Sequence, residues 1–159
     1  MNDKLYNTKT EIGLRCLFIL KVIYPNFCNL DRLLYLEYLS LYIEGFNDNS
    51  TNLHPKYPFQ SIEVLEKRQV LKKAILELAL KSLIDVENNN ELCYVGNSNT
   101  LWFVDSIKNK YSKHLLKNIK LVVNETKGKT DDELKNIIFS NTIDQKDEFN
   151  DFYPYSEEV

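Results

Sequence analysis

The sequence predicts a mainly helical α+β domain with one β-hairpin, in which a core like that of a winged helix-turn-helix precedes further helices. The first observation behind this prediction is a long helical pattern that starts at Ser61, a residue type favoured at helix N-caps, and continues to about Leu80. The second is a pair of short apolar runs, 83–86 and 92–95, joined by the polar turn 87–91. A helix that leads directly into a hairpin is the second half of the winged motif.

Length and composition indicate one domain. The chain has 159 residues, 43% of them hydrophobic, which is enough for a real core but short for an enzyme with two lobes. We assign 1–143 to a single winged-helix-like domain and 144–159, which is acidic and aromatic without helical periodicity, to a C-terminal tail. The net charge of −3 argues against a protein whose whole surface binds nucleic acid.

The cysteines and the N-terminal residues indicate a cytoplasmic protein. The three cysteines are odd in number and never closely paired, which is typical of small core residues in a reducing compartment. Residues 1–13 lack the basic-then-apolar layout of a signal peptide, and the apolar run 16–20 is too short to cross a bilayer. We therefore expect a soluble cytoplasmic protein that makes no membrane contact.

The first predicted helix begins with Thr8 and Glu11, which have the spacing of a capping box. It continues to about Ile23 and is ended by Pro25. Beyond Arg15 almost every face of this helix is apolar, so we expect it to lie in the centre of the domain.

The second predicted helix is capped by Asn29, continues to about Ile43 and is closed by Gly45. It is followed by the loop 46–60, which is rich in Asn, Ser, Thr and Pro. Since this loop is longer than most connections in compact domains, we expect it to have a functional role.

Three further helices are predicted after the hairpin. The first is capped by Asn99 or Thr100, the second spans about 112–123, and the third begins with Thr130 and Glu133 in capping-box spacing.

A search for catalytic and metal-binding motifs finds none. The sequence contains no glycine-rich phosphate loop, no CxxC and no HExxH. Its two histidines, His54 and His114, are sixty residues apart with no Cys or carboxylate at ligand spacing, so a shared metal site would be a rare coincidence. We expect a protein that is not an enzyme and has no cofactor.

Nucleic-acid binding is the alternative chemistry, because the predicted Ser61 helix has the position of a recognition helix. Lys67, Arg68 and Lys72 give it basic character, but Glu63 and other acids interrupt the same surface. The hairpin turn 87–91 is acidic where a DNA-binding wing is usually basic. We interpret the mixed charge as solvated surface with i,i+4 pairs such as Glu63 with Lys67.

The tyrosines point to a protein partner. Tyr35, Tyr38 and Tyr42 recur on one side of the second helix, and Phe152 and Tyr153 stand in the tail. Tyrosine is favoured where a ring is half buried and its hydroxyl half wet, as at an interface. Two interpretations of the helical tyrosines stay open: an aromatic surface, or part of the core.

Together these residues resemble the signature of the middle components of bacterial ABC-three component systems, particularly the second type. That signature places His-Pro and a second Pro before a helix with Glu and two basic residues, and then a Leu-Ile exit into a strand. The resemblance covers about 8–125. The matching positions are His54-Pro55, Pro58, Ser61, Glu63, Lys67-Arg68 and Leu83-Ile84.

The resemblance implies a non-enzymatic adaptor that bridges an SMC/Rad50-like ABC ATPase and an effector such as a nuclease, in defence systems of the Lamassu type. DNA contact is then indirect or non-specific. The alternative is a stand-alone winged-helix transcriptional regulator. The residues that we expect to bind partners are His54, Pro55, Glu63, Lys67, Arg68, Lys72, Tyr35, Tyr38 and Tyr42, with Phe152 and Tyr153 in the tail. Whether Glu63 and Arg68 are interface residues or internal ion-pair partners stays open at this point.

Overall fold

The computed structural model describes residues 7–140, and this part of the chain is mainly helical with a small antiparallel sheet, which confirms the α+β class. A short 3-10 helix, Ile43–Gly45, follows the second α-helix. The α-helices and strands, in chain order, are α1 (Lys9–Ile23), β1 (Phe27–Asn29), α2 (Leu30–Leu41), α3 (Ile62–Leu80), β2 (Ile84–Asn89), β3 (Glu91–Gly96), α4 (Ser98–Asp105), α5 (Lys110–Glu125) and α6 (131–140).

Helix α1 is the central element, as its apolar faces predict. The predicted capping box is present: the Glu11 amide donates to Thr8 Oγ1, and the Glu11 carboxylate accepts from the Thr8 amide at 3.2 Å. The helix packs against α2, α3, α4 and α5. Residues 15–20 are buried without a break, so the helix has no solvent face along this stretch.

The sequence prediction missed strand β1, so the single hairpin is in fact a three-stranded sheet. The strand order is β1-β3-β2 and all pairs are antiparallel, with Phe27 opposite Val95 and Asn29 opposite Cys93. Strand β1 has only three residues, the last of which is the cap of α2, so it shows no alternating pattern of its own. Pairing with β3 determines their conformation.

Helix α3 has the predicted bounds but not the predicted cap. Ser61 has helical backbone angles (φ −62°, ψ −23°), and its side chain makes no capping hydrogen bond. A backbone turn begins the helix instead: the Ile62 amide donates to Phe59 O and the Glu63 amide to Gln60 O, both at 3.0 Å. The loop before the helix therefore positions its first turn.

The helices after the hairpin begin slightly earlier than predicted. Helix α4 is capped by Asn97, whose side chain accepts from the amides of Asn99 (2.9 Å) and Thr100 (3.1 Å), so neither of the two predicted residues is the cap. Helix α5 begins at Lys110 because Asn109 is its cap. In both helices the asparagine cap is followed by a polar first turn, so the apolar periodicity of the sequence begins later than the helix itself.

Helix α6 has the predicted capping box: the Thr130 amide donates to the Glu133 carboxylate at 2.7 Å, and Thr130 Oγ1 accepts from the Glu133 amide. Its residues Leu134 and Ile138 are fully buried against the core. The tail 144–159, with Phe152 and Tyr153, lies outside the described residues, and so does the predicted domain boundary at 143. Among residues 7–140 no helix is long and apolar enough to cross a membrane.

Candidate partner-binding surface

Four buried charged side chains join the three main helices; we call them the buried charge cluster: Arg15 of α1, Glu37 of α2, and Glu63 and Lys67 of α3. Arg15 Nε donates to Glu37 at 2.7 Å, and Lys67 Nζ lies 3.1 Å from Glu37 and 2.5 Å from Glu63. Two cations face two carboxylates, so the cluster is neutral as a whole. It fixes the first half of α3 onto α1 and α2.

The charges in this cluster support each other's ionisation. Burial alone would raise the pKa of Glu37, but the adjacent Lys67 and Arg15 outweigh it and lower that pKa below its usual value. The pKa of Glu63 is lowered in the same way, because burial is outweighed by Lys67 and by hydrogen bonds from tyrosines. Both carboxyl groups are therefore ionised at neutral pH.

Polar side chains close the cluster on the side of Glu63. Tyr42 Oη donates to Glu63 Oε2 at 2.8 Å, Tyr57 donates to the same oxygen, and Asn7 Nδ2 donates to Oε1 at 3.0 Å. Asn7 also accepts from Arg15 at 3.2 Å, so it links two members of the cluster. The hydrogen-bonding capacity of the Glu63 carboxylate is fully used inside the protein.

His54, a residue of the loop 46–60, covers another side of the buried charge cluster. The imidazole is buried, and its Nε2 lies 3.0 Å from the Tyr111 hydroxyl of α5. Burial, followed by the positive charges of Arg15 and Lys67, lowers the pKa of His54 to about 4, so the ring is neutral at physiological pH. Pro55, the next residue, is exposed. His54 is thus an internal packing residue, whereas Pro55 is available to a partner.

This geometry corrects several predictions. Glu63 and Lys67 form the predicted i,i+4 pair, but the pair is buried, so neither side chain is solvated surface or in reach of a phosphate. Of the two open interpretations of the α2 tyrosines, the core interpretation holds for Tyr38 and Tyr42, so they are not available to a partner as expected, and Tyr35 is only partly buried. The reason is that α2 packs against α1, α3 and α5, so it has little free surface.

Arg68 and Lys72 remain on the outside of α3. The Arg68 guanidinium donates to Asp31 of α2 at 2.9 Å, and both side chains are about half exposed. Its partner is Asp31 and not the nearby Glu63, so Glu63 is an internal residue and Arg68 forms an ion pair at the surface. Lys72 is exposed.

The outer face of α3 carries four exposed apolar side chains, which we call the α3 apolar stripe: Ile62, Leu65, Leu76 and Leu80. Their exposed fractions are 46%, 63%, 60% and 77%. At 3.6 residues per turn these positions fall within one quarter of the helix circumference, on the side away from buried Leu71. The N-terminal and C-terminal pairs are separated by the exposed polar residues Gln69, Lys72 and Lys73, and exposed apolar side chains grouped on one side of a helix indicate an interaction site.

Sequence reasoning missed this stripe, although the signal was present. The period of the buried residues Leu71, Ala74 and Ile75 explained the helix, so the remaining leucines had no interpretation of their own. A helix that packs against the protein on one side needs apolar residues on that side alone. The second apolar face is the signal that could have revealed a partner.

The described residues contain no group of side chains that could hold a metal ion. His114 Nε2 lies 2.9 Å from the backbone oxygen of Thr51, and His54 Nε2 lies 3.0 Å from the Tyr111 hydroxyl. All three cysteines are free thiols and buried.

A comparison with protein families identifies this architecture. Residues 5–148 match the model of the ABC-three component (ABC-3C) system Middle Component 2. No curated protein and no solved structure matches the chain. Because the family match spans most of the sequence, the protein belongs to the Middle Component 2 family of ABC-three component systems.

Proposed function

We propose that this middle component is a non-enzymatic cytoplasmic adaptor that bridges an SMC/Rad50-like ABC ATPase and an effector such as a nuclease, in defence systems of the Lamassu type. The observation that carries the proposal is the α3 apolar stripe, an exposed face with no partner in residues 7–140. Family membership supplies the class of partner, because a middle component works with other subunits. In this proposal the ATPase subunit is the partner that binds the α3 apolar stripe.

The helix beneath the stripe is rigidly held, which suits this role. The buried charge cluster joins α3 to α1 and α2 near its start, and Leu71 and Ile75 are fully buried further along. A surface that is already ordered loses little conformational entropy when a partner docks. The exposed leucines can therefore contribute most of their burial free energy to binding, about 1.5–3 kcal/mol for each fully buried side chain.

The structure does not favour the stand-alone DNA-binding regulator. The winged-helix assignment stays a prediction that rests on the sequence of α3 and the hairpin. The outer side of α3 mixes exposed leucines with Lys72 and with Arg68, which is paired with Asp31, and the hairpin exposes Asp85, Glu87 and Glu91. Counterion release from phosphates requires several cations on such a surface.

Co-expression tests the proposal directly. We expect the protein and the ABC ATPase of the same system to elute as one complex in size-exclusion chromatography at micromolar concentration. Separate elution at low salt would contradict the adaptor function.

Arg68→Ala tests whether the surface next to the stripe contributes to assembly. An exposed ion pair contributes at most about 1 kcal/mol to stability, so the melting temperature should change by only a few degrees. We expect the complex with the ATPase to be lost or strongly weakened. If the melting temperature falls by ten degrees or more, Arg68 has a structural role and the assignment of this surface is wrong.

The isolated protein should bind duplex DNA only weakly. With an acidic hairpin and a net charge of −3, we expect a Kd in the non-specific range, about 10⁻⁴ to 10⁻⁶ M, at physiological salt. Fluorescence anisotropy with labelled duplexes measures this Kd. Nanomolar binding that prefers one sequence would favour the regulator instead.

A further inference from the structure

A cleft of about 460 Å³ lies between the end of α1, strand β1, α2 and the end of α5. Its size is in the usual range for sites that bind a small ligand or a few side chains. Cys28 lines it, and because burial raises the pKa of that thiol to about 12, the cleft offers no thiolate nucleophile. The apolar side chains in its wall are Val22, Ile23, Leu36 and Val123.

The rim of the cleft combines exposed rings with cations. Tyr24 and Phe27 line it and are nearly half exposed, and Lys120 and Lys127 line it from the side of α5. Arg32 lines it too, held by the backbone oxygen of Thr126 at 3.0 Å. Apolar walls between cations favour an occupant that has both aromatic rings and carboxylates.

The cleft continues into a basic surface on α5, which we call the lysine face: Lys110, Lys113, Lys117 and Lys120. The spacing of three, four and three residues places all four lysines on one side of α5, opposite the buried Leu115 and Ile119. All four are exposed, and within residues 7–140 none of them forms an ion pair.

This basic character is concentrated in one part of an acidic protein. Between residues 106 and 129, Glu125 is the only acid. The lysines of that segment are Lys108, Lys110, Lys113, Lys117, Lys120, Lys127 and Lys129. A chain of net charge −3 must carry a compensating acidic excess elsewhere.

The tail 144–159 has the complementary chemistry. It contains six acidic side chains and a single basic one, Lys146. The acidic side chains are Asp144, Asp147, Glu148, Asp151, Glu157 and Glu158. Four aromatic rings, Phe149, Phe152, Tyr153 and Tyr155, stand among them.

The tail also begins within reach of the cleft. Asp131, at the start of α6, forms an ion pair with Arg32 on the rim, and the ten residues of α6 rise only about 15 Å from there. The nineteen residues 141–159 span up to about 60 Å when extended. The chain can therefore return along α6 and still cover the lysine face.

We propose that residues 144–159 dock on their own chain, with aromatic rings in the cleft and carboxylates on the lysine face. Tethering gives such a contact an effective concentration near the millimolar range, so individually weak contacts suffice. The docked tail would screen the lysine face from other polyanions, which makes it a regulator of that face. This inference is independent of the role assigned to the α3 apolar stripe.

Zero-length carbodiimide cross-linking of the full-length protein, followed by mass spectrometry, tests the proposal. We expect tail carboxylates to cross-link to Lys117, Lys120 and Lys127 at least about five-fold more than to Lys72 and Lys73, which are equally exposed on α3. Equal yields at the two sets of lysines, or no tail cross-links, would overturn the proposal.

A mixture of isotope-labelled and unlabelled protein separates self-docking from exchange between copies. We expect the cross-linked peptides to carry a single label, and mixed labels would show that a second copy is the occupant, against the proposal. Lys120→Glu combined with Lys127→Glu should lower the cross-link yield at Lys117 several-fold. The matched control, Lys72→Glu combined with Lys73→Glu, should leave it unchanged, and an equal loss in both variants would contradict specific docking.

Discussion

Lys67→Met should lower the free energy of unfolding by about 3–5 kcal/mol, because it breaks a buried ion pair. The substitution keeps the length of the side chain but removes one of the two cations from the buried charge cluster. Arg15 can still neutralise Glu37, but Glu63 is left as a buried carboxylate with only tyrosine and asparagine donors. Urea unfolding followed by circular dichroism measures the change.

Two variants control this result. Lys72→Met makes the same chemical change on the exposed side of α3 and should stay within about 0.5 kcal/mol of the wild type. Adding Glu63→Gln to Lys67→Met restores neutrality and should recover part of the lost stability, because the uncompensated charge is removed. A loss below 1 kcal/mol for Lys67→Met alone would mean that the cluster does not hold α3 in place.

Leu76→Glu should weaken binding to the ABC ATPase at least about 100-fold, a change of about 2.7 kcal/mol in binding free energy. Leu76 belongs to the C-terminal pair of the α3 apolar stripe and is 60% exposed, so a carboxylate is solvated in the free protein. In the complex the same carboxylate would be buried without a partner, which is costly. The melting temperature of the free protein should change little.

Helix bounds were largely predictable because caps and prolines are local signals. Thr8 with Glu11, and Thr130 with Glu133, form the capping boxes that their spacing indicates. Strand β1 could not be predicted in this way. Its three residues become a strand only by pairing with β3, which is more than sixty positions away.

The site was less predictable than the fold, because burial depends on packing between distant elements. Lys67 and Arg68 are adjacent cations in the sequence, yet one is buried among carboxylates and the other is half exposed. No local pattern distinguishes them, since the distinction depends on where Glu37 and Asp31 of α2 face α3. Tyr38 and Tyr42 were ambiguous for the same reason.

The lysine face shows a different limit of prediction from sequence. Its charge and its period were visible in the sequence, but the prediction followed the basic residues of the Ser61 helix because the winged motif gave that helix a role. In the folded protein, α5 has the more continuous basic surface, and α3 has the apolar one. The helical spacing of the lysines in α5 and of the second set of leucines in α3 is the sequence signal for these two surfaces.

The most direct test of the central claim is isothermal titration calorimetry of the purified ABC ATPase with wild-type protein, Leu76→Glu and Trp102→Glu. Trp102 is an exposed apolar residue on α4, 73% exposed against 60% for Leu76, so it controls for the added charge. The adaptor function through α3 predicts micromolar or tighter binding for the wild type and Trp102→Glu, and binding at least about 100-fold weaker for Leu76→Glu. Wild-type affinity in Leu76→Glu, or loss of binding in Trp102→Glu alone, would contradict it.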